Sequence, residues 1–390
     1  MKSIGLSKLR NILYIWYREY RVVFHDTGVV LFFIALPLAY PLLYASIYNP
    51  EVVRDSPIAV VDNSRTMTSR ELCRRIDAAP ETKIVSYCAN MEEAKELIHR
   101  RICLGILEIP HDFNKKIMRG TQSPVIFYSD MSILLNYKNY LATLTDITLD
   151  MGKELQSRKL VGATREQTDI ATNPIPHYSI VLYNPTEGFA SFLMPALLVI
   201  IIQQSILLGI GLIRGEEYER HLHSLRGDTL IGKSLCYYSL YLVIILYVLY
   251  IVPRLFDYPQ WGNRWEIFTF TTPFLLSSIF FGHTLALFVR ERESVFLVIV
   301  FTSMIFLFLS GVTWPYDRIP LVWKIVGALI PSTWGVEGFI RMNTDAATLY
   351  DVRGEYLVLW GLTILYFGTA ILGNKWLSLS TQKQLQNEAR

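Results

Sequence analysis

Six stretches of this chain contain no aspartate, glutamate, lysine or arginine: Val29–Tyr48, Phe189–Ile213, Leu235–Val252, Ile267–Val289, Val295–Trp314 and Tyr356–Gly373. Nothing else in the sequence constrains the fold as strongly. About 20 consecutive apolar residues suffice for a helix to cross the hydrocarbon core of a bilayer, and a lone apolar segment can satisfy its backbone there only as a helix. The two shortest stretches have 18 residues each, still inside the spanning range of about 17–25. Composition agrees: 18% of the 390 residues are charged, against about 25% in soluble domains. The net charge of +3 is too small an imbalance to suggest nucleic acid as a partner. The expected fold is an α-helical membrane protein with six transmembrane helices, at 29–48, 189–213, 235–252, 267–289, 295–314 and 356–373.

Orientation follows from the basic residues of the short loops, which concentrate on the cytoplasmic side. With the N-terminus inside, 14 Lys and Arg fall inside: Lys2, Lys8, Arg10, Arg18, Arg21, Arg214, Arg220, Arg226, Lys233, Arg290, Arg292, Lys375, Lys383 and Arg390. Six fall outside: Arg254, Arg264, Arg318, Lys324, Arg341 and Arg353. Both termini are therefore expected in the cytoplasm, including the tail 374–390, and the long polar insert 50–187 outside. The first stretch exceeds a signal-peptide core and lacks a small-x-small cleavage site after Tyr48, which favours an uncleaved anchor.

Residues 1–26 read as a cytoplasmic amphipathic elbow helix. Leu6, Leu9, Leu13, Trp16, Tyr20 and Val23 recur at spacings of three and four, the period of one helical face. Lys8, Arg18, Glu19 and Arg21 fall largely elsewhere, so the helix should lie in the headgroup layer. The insert alternates strand-like runs (Pro57–Val61, Lys83–Tyr87, Ile102–Ile109, Val125–Tyr128) with helical ones. Thr68-Ser-Arg-Glu71 and Asn90-Met-Glu-Glu93 have helix-capping spelling, and a long helix follows from Ile133. That alternation predicts a compact α/β domain. Cys73, Cys88 and Cys103 lie in this outside domain; a Cys73–Cys88 bridge is open to them, and small buried hydrophobes are the better reading. After the fifth span, Leu321–Ile330 is apolar except for Lys324, too apolar for an ordinary loop and too short to span, which suits an extracytoplasmic hairpin or re-entrant segment at 315–340. Gly311, Pro315, Pro320 and Pro331 are its candidate gate residues.

The stretch GDTLIGKS, with Gly227, Gly232, Lys233 and Ser234, spells the phosphate-loop pattern. A working phosphate loop joins a buried strand to a helix. Here Glu-Glu-Tyr-Glu-Arg-His precedes the match and a membrane span follows it. The inside loop 214–234 is about 21 residues, far short of a nucleotide-binding domain. The match is judged non-functional, and no catalytic, cofactor or metal site is expected on this chain. Among the spans only His283 is ionisable, and without an acidic partner it reads as a packing residue rather than a proton relay. Gln203, Gln204 and Ser205 could hydrogen-bond between helices.

One span, a large outside α/β domain, five more spans and a Pro-rich hairpin before the last resemble the ABC type-2 transporter permeases, in the subgroup with a big domain between its first two spans. Arg18-Glu-Tyr-Arg-Val-Val-Phe-His-Asp26 ahead of a span with Pro37 and Pro41 resembles the family's elbow helix and first span. Ile58–Asp62 with Ser64, Met91–Ala94 and Ile109–Phe113 resemble the order inside its outside domain. Gly215–Glu219 with Gly232-Lys233 resembles its inside loop, although the Glu-x-Gly-Thr segment common in the family is replaced by Glu217-Tyr-Glu-Arg-His221. Leu309–Pro315, Ile319-Pro320 and Ile330–Trp334 resemble the approach to the last span.

The resemblance implies the permease subunit of an ATP-driven exporter in a bacterial inner membrane. It also implies a second permease, identical or related, and a separate cytoplasmic ABC ATPase that carries the ATP and magnesium. Arg18, Glu19, Glu216, Glu217 and Arg220 become the candidate contacts to that ATPase, and the outside domain would dock a periplasmic adaptor or gate the exit. Two other classes compete: a membrane receptor or envelope scaffold of the phage infection protein type, and a proton-driven carrier.

Overall fold

The computed structural model describes residues 2–49, 53–131, 134–158, 160, 164–172, 182–184, 188–220, 227–314 and 316–388. The chain divides into two compact units, Val52–Ile180 and a second formed by Met1–Glu51 with Val181–Arg390.

The first unit is the expected α/β domain. Its strands β1 (Ser56–Asp62), β2 (Thr82–Tyr87), β3 (Gly105–Ile109) and β4 (Ile126–Ser129) form one sheet in the order β2-β1-β3-β4. β1 runs parallel to β2 and β3, and β4 is antiparallel to β3. β1 alone reads Ile-Ala-Val-Val, fully buried, as a central parallel strand covered on both faces must be. One face packs Ile58, Val60, Leu107 and Ile109 beneath a helix at Met67–Asp77 and the long helix Leu134–Ser157; the other packs Ala59, Val61 and Ile106 against the helix Met91–His99. The capping box on Met67–Asp77 is Thr66 with Ser69, two residues earlier than the expected Thr68–Glu71. Asn90 caps its helix as expected, accepting from the Glu93 amide at 2.8 Å. Cys73 lies in one core cluster, Cys88 and Cys103 in the other, and all are free buried thiols. The open alternative of a Cys73–Cys88 bridge is thereby closed, because the sheet separates the two side chains.

The second unit is helical. In chain order its helices are α1 (Lys2–His25), α2 (Thr27–Tyr48), α3 (Phe189–Glu219), α4 (Gly227–Leu255), α5 (Arg264–Phe288), α6 (Ser294–Leu309), α7 (Leu321–Ala328), α8 (Pro331–Asn343) and α9 (Arg353–Glu388). Among the described residues, five segments are long and apolar enough to cross a membrane: α2, α3, α4, α5 and the part of α9 up to Leu377. The remaining expected span, 295–314, falls on α6, an apolar helix of 16 residues that is shorter than the other five. The charge-free stretch 295–314 outruns it because Ser310 caps the helix and Gly311 takes a φ of +84°, a backbone conformation that favours glycine.

α3 is the hub, packing against α2, α5, α6 and α8. It is buried through nearly its whole length, which explains an apolar run with no amphipathic pattern. Close packing needs small residues at crossings: a side chain at Gly209 would overlap the Phe33 ring of α2. Outward-facing α6 instead exposes Leu297, Phe301, Met304 and Phe308, a surface suited to lipid. α3 also continues past Ile213 to Glu219, and α4 already starts at Gly227, so much of the expected inside loop 214–234 is helix.

Candidate functional site

The charged residues at one end of the helical unit converge on two networks. α1 lies along the start of α4. The contact is made by Ile12 and Ile15 against Gly232, by Trp16 and Tyr20 hydrogen-bonding to the Ser239 hydroxyl at 3.2 and 2.7 Å, and by Glu19. Leu9, Leu13, Tyr17 and Phe24 stay exposed. At 100° per residue, α1 thus has three faces: one for α4, an apolar one left open, and a basic one with Arg10, Arg18 and Arg21. The sequence stripe straddles two faces: Leu9 and Leu13 lie on the open one, whereas Trp16 and Tyr20 bond to Ser239 and Val23 is buried. It left out Ile12, Ile15 and Glu19 on the protein-facing side, where a carboxylate interrupts the apolar run.

That carboxylate is 3% exposed. Lys233, 5% exposed, reaches it at 3.0 Å and also reaches Glu217 at 2.5 Å. Tyr237 donates to the same Glu19 oxygen at 2.6 Å. Arg214 pairs with Glu217 at 3.1 Å and donates to the Asn374 side-chain oxygen at 3.1 Å. The chain Tyr237–Glu19–Lys233–Glu217–Arg214–Asn374 therefore joins α1, α3, α4 and α9. Its two acids and two bases cancel, as burial requires, since an unpaired buried charge is strongly penalised. Beside it His283 is 4% exposed and stacks on Tyr237 at 5.9 Å.

The second network is more open. Asp26 caps α2, accepting from the Gly28 and Val29 amides at 2.8 and 3.1 Å. It also accepts from Arg292 at 2.5 Å. Arg292 comes from the turn between α5 and α6 and approaches Glu216 at 3.5 Å, while its amide donates to Glu219 at 2.9 Å. Arg220 closes on Glu216 at 2.5 Å. The Arg292 hydrogen bond is the main reason the Asp26 carboxyl is held down to about 2, with the Val29 amide adding to it against the cost of burial. The pair stays charged at any pH a cell meets.

All four residues of the phosphate-loop lookalike are in α4: Gly227 opens the helix, and Gly232, Lys233 and Ser234 are buried. The glycine-rich loop of a phosphate-binding turn is replaced by helix from Gly227 onward. A Cβ at Gly232 would sit 2.8 Å from Ile15 and 3.0 Å from the Ile12 carbonyl, so this glycine sets the distance between α1 and α4. Gly232→Leu should therefore prise α1 off α4, an overpacking cost of about 1–3 kcal/mol. Limited trypsin digestion should then cut at Arg10, Arg18 or Arg21 faster than in the wild-type chain; an unchanged digestion rate would contradict this role.

Residues 28–372 match the family model described as ABC-2 family transporter protein, which takes in the apolar helices and the inserted α/β unit alike. The chain belongs to the ABC-2 transporter family. This ABC-2 chain is also 20% identical over 405 residues to the Linearmycin resistance permease protein LnrN of Bacillus subtilis (strain 168), covering 93% of this chain and 99% of that protein. It is a multi-pass membrane protein.

Within the ABC-2 chain, the five coupling candidates read from sequence separate into two kinds. Arg18 and Arg220 are exposed, Glu216 is half-buried, and Glu19 and Glu217 are held inside the first network. Sequence reasoning missed Arg214, Lys233, Tyr237, Asn374, Asp26 and Arg292 as partners. The available signal was a lysine six residues inside a helix with no solvated neighbour at i±4, next to an acid on an otherwise apolar stripe. Of the gate candidates, Gly311 turns the chain after α6, Pro320 caps α7, Pro331 opens α8 and is buried, and Pro315 lies outside the described residues.

Proposed function

We propose that this chain is the permease subunit of an ATP-driven exporter, worked by a separate cytoplasmic ABC ATPase. The observation that carries the reading is the buried, charge-balanced network joining α1, α3, α4 and α9. A force applied to the exposed basic face of α1, or to the α3–α4 turn around Arg220, is passed to four helices at once. Packed ionic contacts of this kind transmit displacement because they have no soft intermediate geometry. Arg18, Arg220 and Glu216 are the proposed ATPase contacts, and Glu19, Glu217 and Lys233 the transmitting joint. ATP and magnesium belong to the partner.

On this reading α6 is a sixth, short span, both termini are cytoplasmic in a bacterial inner membrane, and the α/β unit is extracytoplasmic, placed to meet an adaptor or gate the exit. A second permease, a copy or a relative, completes the path. α6, with its exposed apolar side chains, is available to that partner or to lipid. The relative named as a resistance permease supports export of a toxic compound.

Topology and partnership test this together. In spheroplasts, protease should remove a tag placed at residue 122 in the α/β unit and spare one after Arg390. Purification in mild detergent should bring down a cytoplasmic ATPase in near-stoichiometric amount. A protected tag at 122, or repeated absence of any ATPase, would sink the reading.

A further inference from the structure

At the end of the helical unit away from the ion-pair networks, a cavity of about 530 Å³ lies between the start of α3, the end of α6 and α8. That volume is in the range of ligand sites, roughly 300–1,000 Å³. Phe192, Val312, Tyr316, Val336 and Ile340 give it apolar walls, and Gly311 turns the chain at its edge. Three charged side chains line it: Glu337, Arg341 and Asp345.

The guanidinium is already committed. Arg341 forms an ion pair with Glu355 and donates to the Asp351 carbonyl at 3.2 Å. Glu337 and Asp345 make no side-chain hydrogen bond or ion pair among the described residues, and the Thr344 hydroxyl in the same wall is buried without a partner. The Lys324 ammonium stands 5.5 Å over the Tyr316 ring and donates to the Asp317 carbonyl at 3.1 Å, and Lys324 is not part of the lining. The cavity thus combines apolar and aromatic walls with an uncompensated negative charge. Apolar surface favours an apolar body, aromatic faces attract cations, and an unpaired carboxylate in a half-buried wall gains most from an opposite charge that arrives with its own apolar shielding. An anion of the same shape meets repulsion from Glu337 and Asp345.

We propose that this cavity binds amphiphilic organic cations, with Glu337 as the residue that selects the charge. The assignment rests on the permease reading only in calling such compounds the class of cargo; the binding itself needs no ATPase.

The test uses the full-length protein in detergent and tritiated tetraphenylphosphonium in equilibrium dialysis, without ATP or partner. Saturable binding near one site per chain is expected. Glu337→Gln should weaken it about tenfold or more, and Asp345→Asn, at an exposed and better screened position, about threefold. Tetraphenylborate, the same shape with the opposite charge, should compete at least about tenfold less well. Gel filtration and thermal unfolding report whether Glu337→Gln folds; if it does not, Asp345→Asn and the borate comparison still decide. Absence of saturable binding, equal competition by the borate, or wild-type affinity in both folded variants would overturn the assignment. Any of those failures leaves the permease reading standing, while failure to recover an ATPase leaves the binding result standing.

Discussion

Lys233→Met is expected to destabilise the permease by about 3–5 kcal/mol, the cost of breaking a buried ion pair from one side. The cause is not the loss of attraction alone. Glu19 and Glu217 both point at the ammonium, at 3.0 and 2.5 Å, and among the described residues Glu19 pairs with no other cation. Without Lys233 it must remain charged in a buried site or take up a proton. Adding Glu19→Gln to Lys233→Met removes the stranded charge, keeps the Tyr237 hydrogen bond, and leaves Glu217 with Arg214. The double variant should therefore recover at least half of the loss, read as thermal unfolding in detergent and as protein retained in the membrane. A Lys233→Met chain as stable as wild type would remove the joint; a double variant less stable than the single would show that Glu19 and Lys233 act separately.

Arg18→Glu combined with Arg220→Glu is expected to do the opposite. Both side chains are exposed, and the one ion pair lost, Arg220 with Glu216 at 2.5 Å, is at the surface, where such pairs are worth about 0–1 kcal/mol. Unfolding should shift little. If these residues meet the ATPase, reversing two charges should reduce permease-dependent stimulation of ATP hydrolysis by about tenfold or more, since like-charge juxtaposition across an interface costs several kcal/mol. Wild-type stimulation would remove both from the interface. The two experiments separate roles that the sequence had merged: internal residues are expected to move stability, exposed ones coupling.

The helical class was legible because charge-free runs of 18 residues or more have few other uses. The α/β unit was legible from Ile58–Val61, which alternates with nothing and so reads as a fully covered strand. Element ends were less so. Thr66 rather than Thr68 caps its helix because both spell plausible caps and only the approach of Asp62 decides: its carboxylate accepts from Ser69 at 2.7 Å. Charge patterning placed Lys233 at the rim of a span, since hydropathy counts a charge as solvated. It cannot see that Gly232 lets α1 come close enough to bring Glu19 across 214 positions of sequence. Periodicity likewise mixed the exposed Leu9 and Leu13 with the packed Trp16, Tyr20 and Val23, since lipid and protein demand the same residues. The cavity beside Gly311 was beyond the sequence, because its charge is set by which acids Arg341 leaves unpaired.

The central claim is that this chain conducts and a partner supplies the motor. ATP photolabelling of the purified complex in lipid nanodiscs, with hydrolysis measured on the complex and on this chain alone, tests it most directly. The account predicts label on the ATPase band only, hydrolysis by the complex, and none by the isolated chain. Label on this chain that is lost in Lys233→Arg, or hydrolysis by the isolated chain, would contradict it.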